Sequence, residues 1–250
     1  MRLATSIRFE RRQRGGYAVF SRRGERMQAR FAVVAIGRGA RSTGLPSARR
    51  YLDDHVAIVA RFGRVGHPAE TRTVIEAVPG GWFYMAALPR GRMVAVFMTR
   101  AATARGGRDS RRRVWLEAMS HTALIRSSLP DLHLMEALSV HDARASYALC
   151  RAGDDWCAVG DARFAPDPLS GLGILWAIED GVWTAEALSR GAAGLRAAAE
   201  ERAARQMTEY RAGHALAYGT ERRFPDDPYW VHVSRAAALN GEEAVAKAFG

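Results

Sequence analysis

The chain has almost no lysine: Lys247 is the only one among 37 basic residues, so the net charge of +11 is carried by arginine. The arginines are spread along the chain, and even the local groups at Arg11, Arg12 and Arg14, at Arg22 and Arg23, and at Arg111 to Arg113 flank turns or open a helix. This pattern reads as a solvated face rather than a nucleic-acid groove. Cysteine is also scarce, with only Cys150 and Cys157, and no Cys/His group has metal-ligand spacing, so neither a disulfide framework nor a zinc site is expected. No run approaches the roughly 20 apolar residues that span a bilayer. The basic N-terminus is not followed by the apolar stretch of a signal peptide, so a cytoplasmic protein is expected. No Gly-x-Ser-x-Gly elbow occurs, and His121, His133 and His141 stand without a partnered nucleophile. No catalytic acid, base or nucleophile is therefore assigned.

Apolar residues make up 48% of the 250 residues, enough for a substantial core. Alternation predicts a hairpin from Ser6–Glu10 and Tyr17–Phe20 around Gly15-Gly16, and a turn at Arg22–Glu25. A third strand, Met27–Ile36, ends in the continuous apolar run Phe31–Ile36, which suits a parallel strand buried on both faces. The run Gly37–Ser42 follows its C-terminal end. Four strands, Asp53–Arg64, Arg72–Ala77, Gly81–Leu88 and Arg92–Thr99, have short connections and predict an antiparallel sheet. An amphipathic helix is expected over Ser110–Leu129, with Val114, Leu116, Met119, Leu124 and Ile125 facing inward and Pro130 as its stop. Strands at Ala137–His141 and Ala145–Leu149 lead to a helix ending near Ser189. A long helix over Leu195–Tyr218 and a short one over Ser234–Ala248 complete the chain.

The stretch from Trp156 to Ile178 carries the most chemistry. A short apolar strand runs into Gly160-Asp161-Ala162, the chain turns through Asp167-Pro168-Leu169-Ser170-Gly171-Leu172-Gly173, and a helical period follows. A carboxylate at a strand's C-terminal end can accept hydrogen bonds from hydroxyl groups. The backbone N–H groups after Pro168 are expected to meet partial negative charge.

These residues resemble the second FAD motif of flavin-dependent monooxygenases and tryptophan-halogenase-like oxidoreductases. The resemblance implies that Asp161 binds the ribityl chain of FAD, that Pro168, Gly171, Leu172 and Gly173 lie along the isoalloxazine ring, and that Gly160 belongs to the same cofactor-binding set. It also implies a place beside the cofactor for Gly37, although Ile36 stands where the family has a polar residue. Trp82-Phe83-Tyr84 partly resembles the halogenases' aromatic motif, with Trp82 and Tyr84 as substrate-facing candidates; the missing Ile-Pro lowers halogenation against oxygenation. Ordinary sheet core is the favoured alternative for these aromatics.

The resemblance implies an α+β or α/β fold. A partial glutathione-reductase-type FAD-binding domain would occupy 1–50 and 145–195, an antiparallel substrate-domain sheet with a helix 51–144, and a helical region 196–250. The implied activity is oxygen transfer through reduced FAD to a small organic, chiefly aromatic, substrate. A Gly-x-Gly-x-x-Gly turn after a strand, which would hold the pyrophosphate, is nowhere in the sequence. An N-terminally truncated enzyme, a split protein whose partner supplies that unit, and a degenerate protein are all open. FAD binding is expected to be weak or partner-dependent, and the strands near Val33 and Val159 are expected to have unpaired edges.

Overall fold

A computed structural model describes residues 7–11, 16–21, 26–38, 48–64, 72–127, 132–134, 137–191 and 193–249. The first strands are β1 (Ile7–Arg11), β2 (Tyr17–Ser21), β3 (Arg26–Ala29), β4 (Ala32–Val34) and β5 (Arg49–Tyr51). Next come β6 (His55–Arg64), β7 (Val74–Val78), β8 (Gly81–Leu88), β9 (Arg92–Arg100), α1 (Arg108–Ser120) and α2 (Leu124–Ser127). Five short strands follow, β10 (Leu132–Leu134), β11 (Ser139–Asp142), β12 (Ser146–Ala148), β13 (Trp156–Ala158) and β14 (Phe164–Ala165). Helices α3 (Gly173–Ser189), α4 (Leu195–Gly219) and α5 (Pro228–Phe249) end the chain. Two compact units result, Met1–Leu52 with Ala145–Tyr210, and Asp53–Arg144 with Arg211–Gly250.

In the first unit the expected hairpin is present, with β1 antiparallel to β2 from Ile7↔Ser21 to Arg11↔Tyr17, and β3 extends it on the far side of β2. The predicted turns at Gly15 and Arg22–Glu25, the run from Gly39 to Ser42, and the Pro130 stop lie outside the described residues. The single strand expected over Met27–Ile36 is two strands. The chain bends at exposed Arg30, and β4 leaves the meander to pair in parallel with β13. Nor is the apolar run buried on both faces: Ala32 and Val34 are buried while Val33 between them is 43% exposed, as strand alternation requires. The far edge of β13 is covered, because Ala152 bridges Cys157 and the Ala158 N–H donates to the Arg151 carbonyl at 2.8 Å. Of this pair, β4 keeps an edge without a strand neighbour among the described residues.

The second unit is built on an antiparallel sheet of order β10-β6-β9-β8-β7, with β11 pairing to another part of β6. The four expected strands are all present. One face buries Ile58, Phe83, Met85, Met93 and Phe97 against Trp115, Met119 and Ile125. Each such large side chain contributes about 1.5–3 kcal/mol on burial. The helix expected over Ser110–Leu129 stops at Ser120 instead, and a second start follows where the Glu76 carboxylate accepts from Ala123 N–H at 2.6 Å and Ile125 N–H at 3.0 Å. Trp115 and Ala118 face inward, whereas Leu116 and Leu124 are exposed, so part of the predicted inner face is turned outward. α5 is longer than expected because Asp227 caps it, accepting from Tyr229 N–H at 2.9 Å, with Pro228 as its first residue.

Candidate functional site

The site grows from the C-terminal end of β13. There the chain enters a 3-10 turn over Gly160–Ala162, and Gly160 takes φ +55°, a conformation that glycine adopts without strain. A Cβ at that position would stand 3.0 Å from the Cβ of Ala177, so the absence of a side chain also lets α3 lie against the turn. A second turn spans Pro168–Ser170. Asp167 is buried and its Oδ1 accepts from Leu169 N–H at 2.8 Å, while Gly171 ends the turn at φ +65°.

The backbone groups available to a ligand differ from the expectation. The N–H groups of Leu169, Ser170, Gly171 and Leu172 are spent within the turn, on Asp167 Oδ1, Asp167 O, Pro168 O and Ser170 Oγ respectively. The first α-helical bond of α3 runs from Trp176 N–H to Leu172 O at 2.9 Å. The N–H groups of Gly173, Ile174 and Leu175 precede that ladder, so the positive end of the helix dipole lies there rather than directly after Pro168.

These segments enclose an open cavity of about 650 Å³. Gly37, Gly160, Asp161, Pro168, Gly171 and Gly173 all line it, together with Arg38 and with Ile174 and Ile178 of α3. Leu172 does not; it packs against the cluster of Phe164, Trp176 and Tyr210. At Gly37 and Gly171, both at positive φ, an added Cβ would meet nothing within 4 Å, which leaves open space over both backbones. Asp161 is partly exposed, and its Oδ2 accepts from Arg38 Nε at 3.2 Å.

Beneath the turn lies a buried polar network that sequence reading did not find. Asp180 of α3 is 2% exposed, and its Oδ2 accepts from Gly160 N–H and from Arg163 Nε, both at 2.9 Å. Its Oδ1 accepts from Arg163 Nη2 at 2.7 Å and from Arg202 Nε at 3.2 Å, and Arg163 Nη2 also donates to Gln206 Oε1. Burial pulls the Arg163 guanidinium below its usual pKa, with Asp180 opposing that shift. On the same inner side of α3, the Cys157 thiol is raised, chiefly by burial, and lies 3.8 Å from Thr184 Oγ1. Asp180 and Arg163 are 17 residues apart and Gln206 is 43 from Arg163, so no local pattern announces them. Arg38 was closer to view, directly after Gly37.

The aromatic candidates lie in the second unit. Trp82 is 2% exposed, and its indole N–H donates to Tyr218 Oη at 3.2 Å. It is a core residue of the sheet face opposite Phe83. Tyr84, two residues on, is half-buried and sits between Ile75 and Val96 in register.

No protein-family model matches the chain. LodB of Marinomonas mediterranea, a protein assigned to the FAD-dependent oxidoreductases, is 27% identical over 211 residues, covering 84% of this chain and 57% of LodB. Among solved structures, the peptidyl tryptophan dihydroxylase QhpG superposes with a TM-score of 0.73 at 23% identity, over 91% of this chain and 54% of that one. The myxobacterial chondrochloren halogenase CndH gives a TM-score of 0.73 at 19% identity, over 98% and 60% of the two chains. BrvH, a flavin-dependent halogenase from Brevundimonas sp. BAL3, gives 0.73 at 21% identity, over 94% and 47%. The mixed α and β fold, with its antiparallel sheets and helices, is thus the one found in flavin-dependent halogenases and in a tryptophan dihydroxylase. In sequence and fold together the chain is similar to FAD-dependent oxidoreductases of the monooxygenase and halogenase kind, and it spans little more than half the length of LodB.

Proposed function

We propose that this chain is the flavin-contacting part of an FAD-dependent oxidoreductase, monooxygenase-like, that acts on a small organic, chiefly aromatic, substrate. The observation that carries this reading is the cavity that gathers Gly37, Asp161, Pro168, Gly171 and Gly173 from separate segments of the first unit. Its size is within the range of about 300–1,000 Å³ typical of ligand pockets. The residues fit the group. Asp161 offers a carboxylate to the ribityl hydroxyls, the backbones at Gly37 and Gly171 leave space for a flat ring, and the start of α3 supplies N–H groups for partial negative charge. Bound FAD would supply the redox chemistry that reduces and transfers oxygen. The protein's share would be to hold the polyol at Asp161 and to offer the N–H groups at the start of α3 to partial negative charge.

In this reading residues 1–50 and 145–195 are a partial glutathione-reductase-type FAD-binding domain, 51–144 the substrate-domain sheet and 196–250 a helical region. Tyr84 is the better substrate-facing candidate of the two aromatics, since Trp82 is committed to Tyr218. A titration of FAD fluorescence with the full chain tests the flavin site. Saturable, weak quenching that Asp161→Ala diminishes more than about tenfold, as loss of charge-assisted hydrogen bonds would, is the expected result. Quenching indifferent to Asp161 would remove the reading.

A second reading draws on the open edge of β4 and the exposed apolar residues Ile174, Leu175, Ile178 and Val182 of α3. Such an edge and face suit a subunit that docks a protein supplying a dinucleotide-binding unit. It predicts that FAD is retained stoichiometrically only when that second protein is present.

A further inference from the structure

Arg38 is the one cation lining the cavity among the described residues, and two carboxylates, Asp161 and Asp167, line it as well. Asp167 is already engaged with the backbone of Leu169. Asp161 is different: its Oδ2 accepts from Arg38 Nε, while its Oδ1 faces Gly173, where an added Cβ would stand 3.9 Å away. The pair is anchored from two segments far apart in sequence, Arg38 beyond β4 and Asp161 beyond β13. Both side chains are partly open to the cavity, 26% and 36% exposed. A carboxylate there without a counter-charge would favour a neutral polyol and repel a phosphate brought in on the same ligand.

We infer that Arg38 sets the charge selectivity of this cavity: by holding Oδ2 of Asp161 it leaves Oδ1 to hydroxyl groups and lets the site accept a flavin that bears phosphate. This rests on the flavin reading of the cavity, and it adds that the site discriminates among flavins by charge. Arg38 has a role here that shape alone would not give it, because a purely structural arginine would affect charged and uncharged flavins alike.

The test titrates the full chain with riboflavin, FMN and FAD, which share the ring and ribityl chain but differ in phosphate. Arg38→Gln is expected to weaken FMN and FAD about tenfold, the scale of one lost charge-assisted interaction, while riboflavin changes by less than about threefold. Wild type is expected to bind FMN at least as tightly as riboflavin, and the ratio of the two affinities should fall with added salt, as expected for partly exposed charges. Arg38→Lys, which keeps the charge, should keep the preference, and it carries the test if glutamine perturbs the fold. With Arg38→Gln, an equal loss for all three flavins, or no loss for any, overturns the inference and leaves the flavin site standing; with Arg38→Lys, a fall in the FMN-to-riboflavin affinity ratio does the same. If the wild-type chain binds none of the three, the flavin reading falls and this inference falls with it.

Discussion

What lies beneath the sheet face of the second unit differs from what lies beneath the Asp161 turn of the first. In the second, the Phe83 face of the sheet closes on Trp115, Met119 and Ile125, and ring contacts such as Phe83 with Phe97 at 4.9 Å between centroids fill it. In the first, the ground beneath Asp161 is a buried ion pair, Arg163 with Asp180, tied to a glycine N–H and to Gln206. An apolar face stabilises without specifying one orientation, whereas a buried carboxylate that must satisfy Gly160, Arg163 and Arg202 fixes the turn in one pose. The sheet face of the second unit is backed by buried rings, whereas the turn that lines the cavity is backed by a desolvated ion pair.

The sharpest way to break this comparison is to remove one anchor from each unit. Phe83→Ala should cost about 3–5 kcal/mol in a urea titration and leave flavin binding by the surviving folded protein roughly unchanged. Asp180→Ala should cost about the same, 3–5 kcal/mol, since it strands the Arg163 charge in the interior, but it should also abolish flavin quenching under conditions where the protein is still folded. Equal effects of both variants on binding would mean that the polar network carries no more positional information than the apolar core.

A smaller effect separates the units by pH. Burial alone would raise the Asp54 carboxyl of the second unit, but hydrogen bonding and attraction from Arg100, 3.0 Å away, outweigh it, and its pKa lies below the ordinary value. A depressed carboxylate stabilises above its unfolded-state pKa of about 3.9, and that contribution is lost as pH falls through the lower folded-state value. The pair is more than a third exposed on the Asp54 side, so the contribution should stay below about 1 kcal/mol. Asp54→Asn should lower stability at pH 7 by that amount and by less at pH 2, as read from urea midpoints at the two pH values.

Much of the second unit was legible because strand alternation is a local signal: β6 to β9 fall within two residues of the expected strands, and their short turns dictate antiparallel neighbours. The Gly160 to Gly173 stretch was legible for a related reason, since the glycines and Pro168 mark turns by their own backbone limits. What stayed hidden depends on partners distant in sequence. Val33 reads as core until β4 is seen to have only one covered face, and Asp180 reads as an ordinary helix acid until Arg163 is placed beside it. The Asp227-Pro228 pair did carry a local signal for the start of α5, N-cap followed by proline, and a closer reading of that pair would have extended the helix.

The least disruptive probe of the first unit's interior is its two thiols. Cys157 is 1% exposed and its thiol pKa is raised, first by burial, with Asp180 adding to the effect and Thr184 and Arg163 opposing it. Cys150 is only partly buried. Since the thiolate is the reacting species, a thiol reagent at pH 8 should label Cys150 first and Cys157 only as the unit opens. Labelling of Cys157 in Asp180→Ala should then accelerate relative to wild type, whereas in Phe83→Ala it should not. Mass spectrometry of the labelled peptides would read both rates in the same sample. Acceleration in both variants would show that the two units open as one, and the contrast between a charge-anchored unit and a ring-packed one would lose its independence.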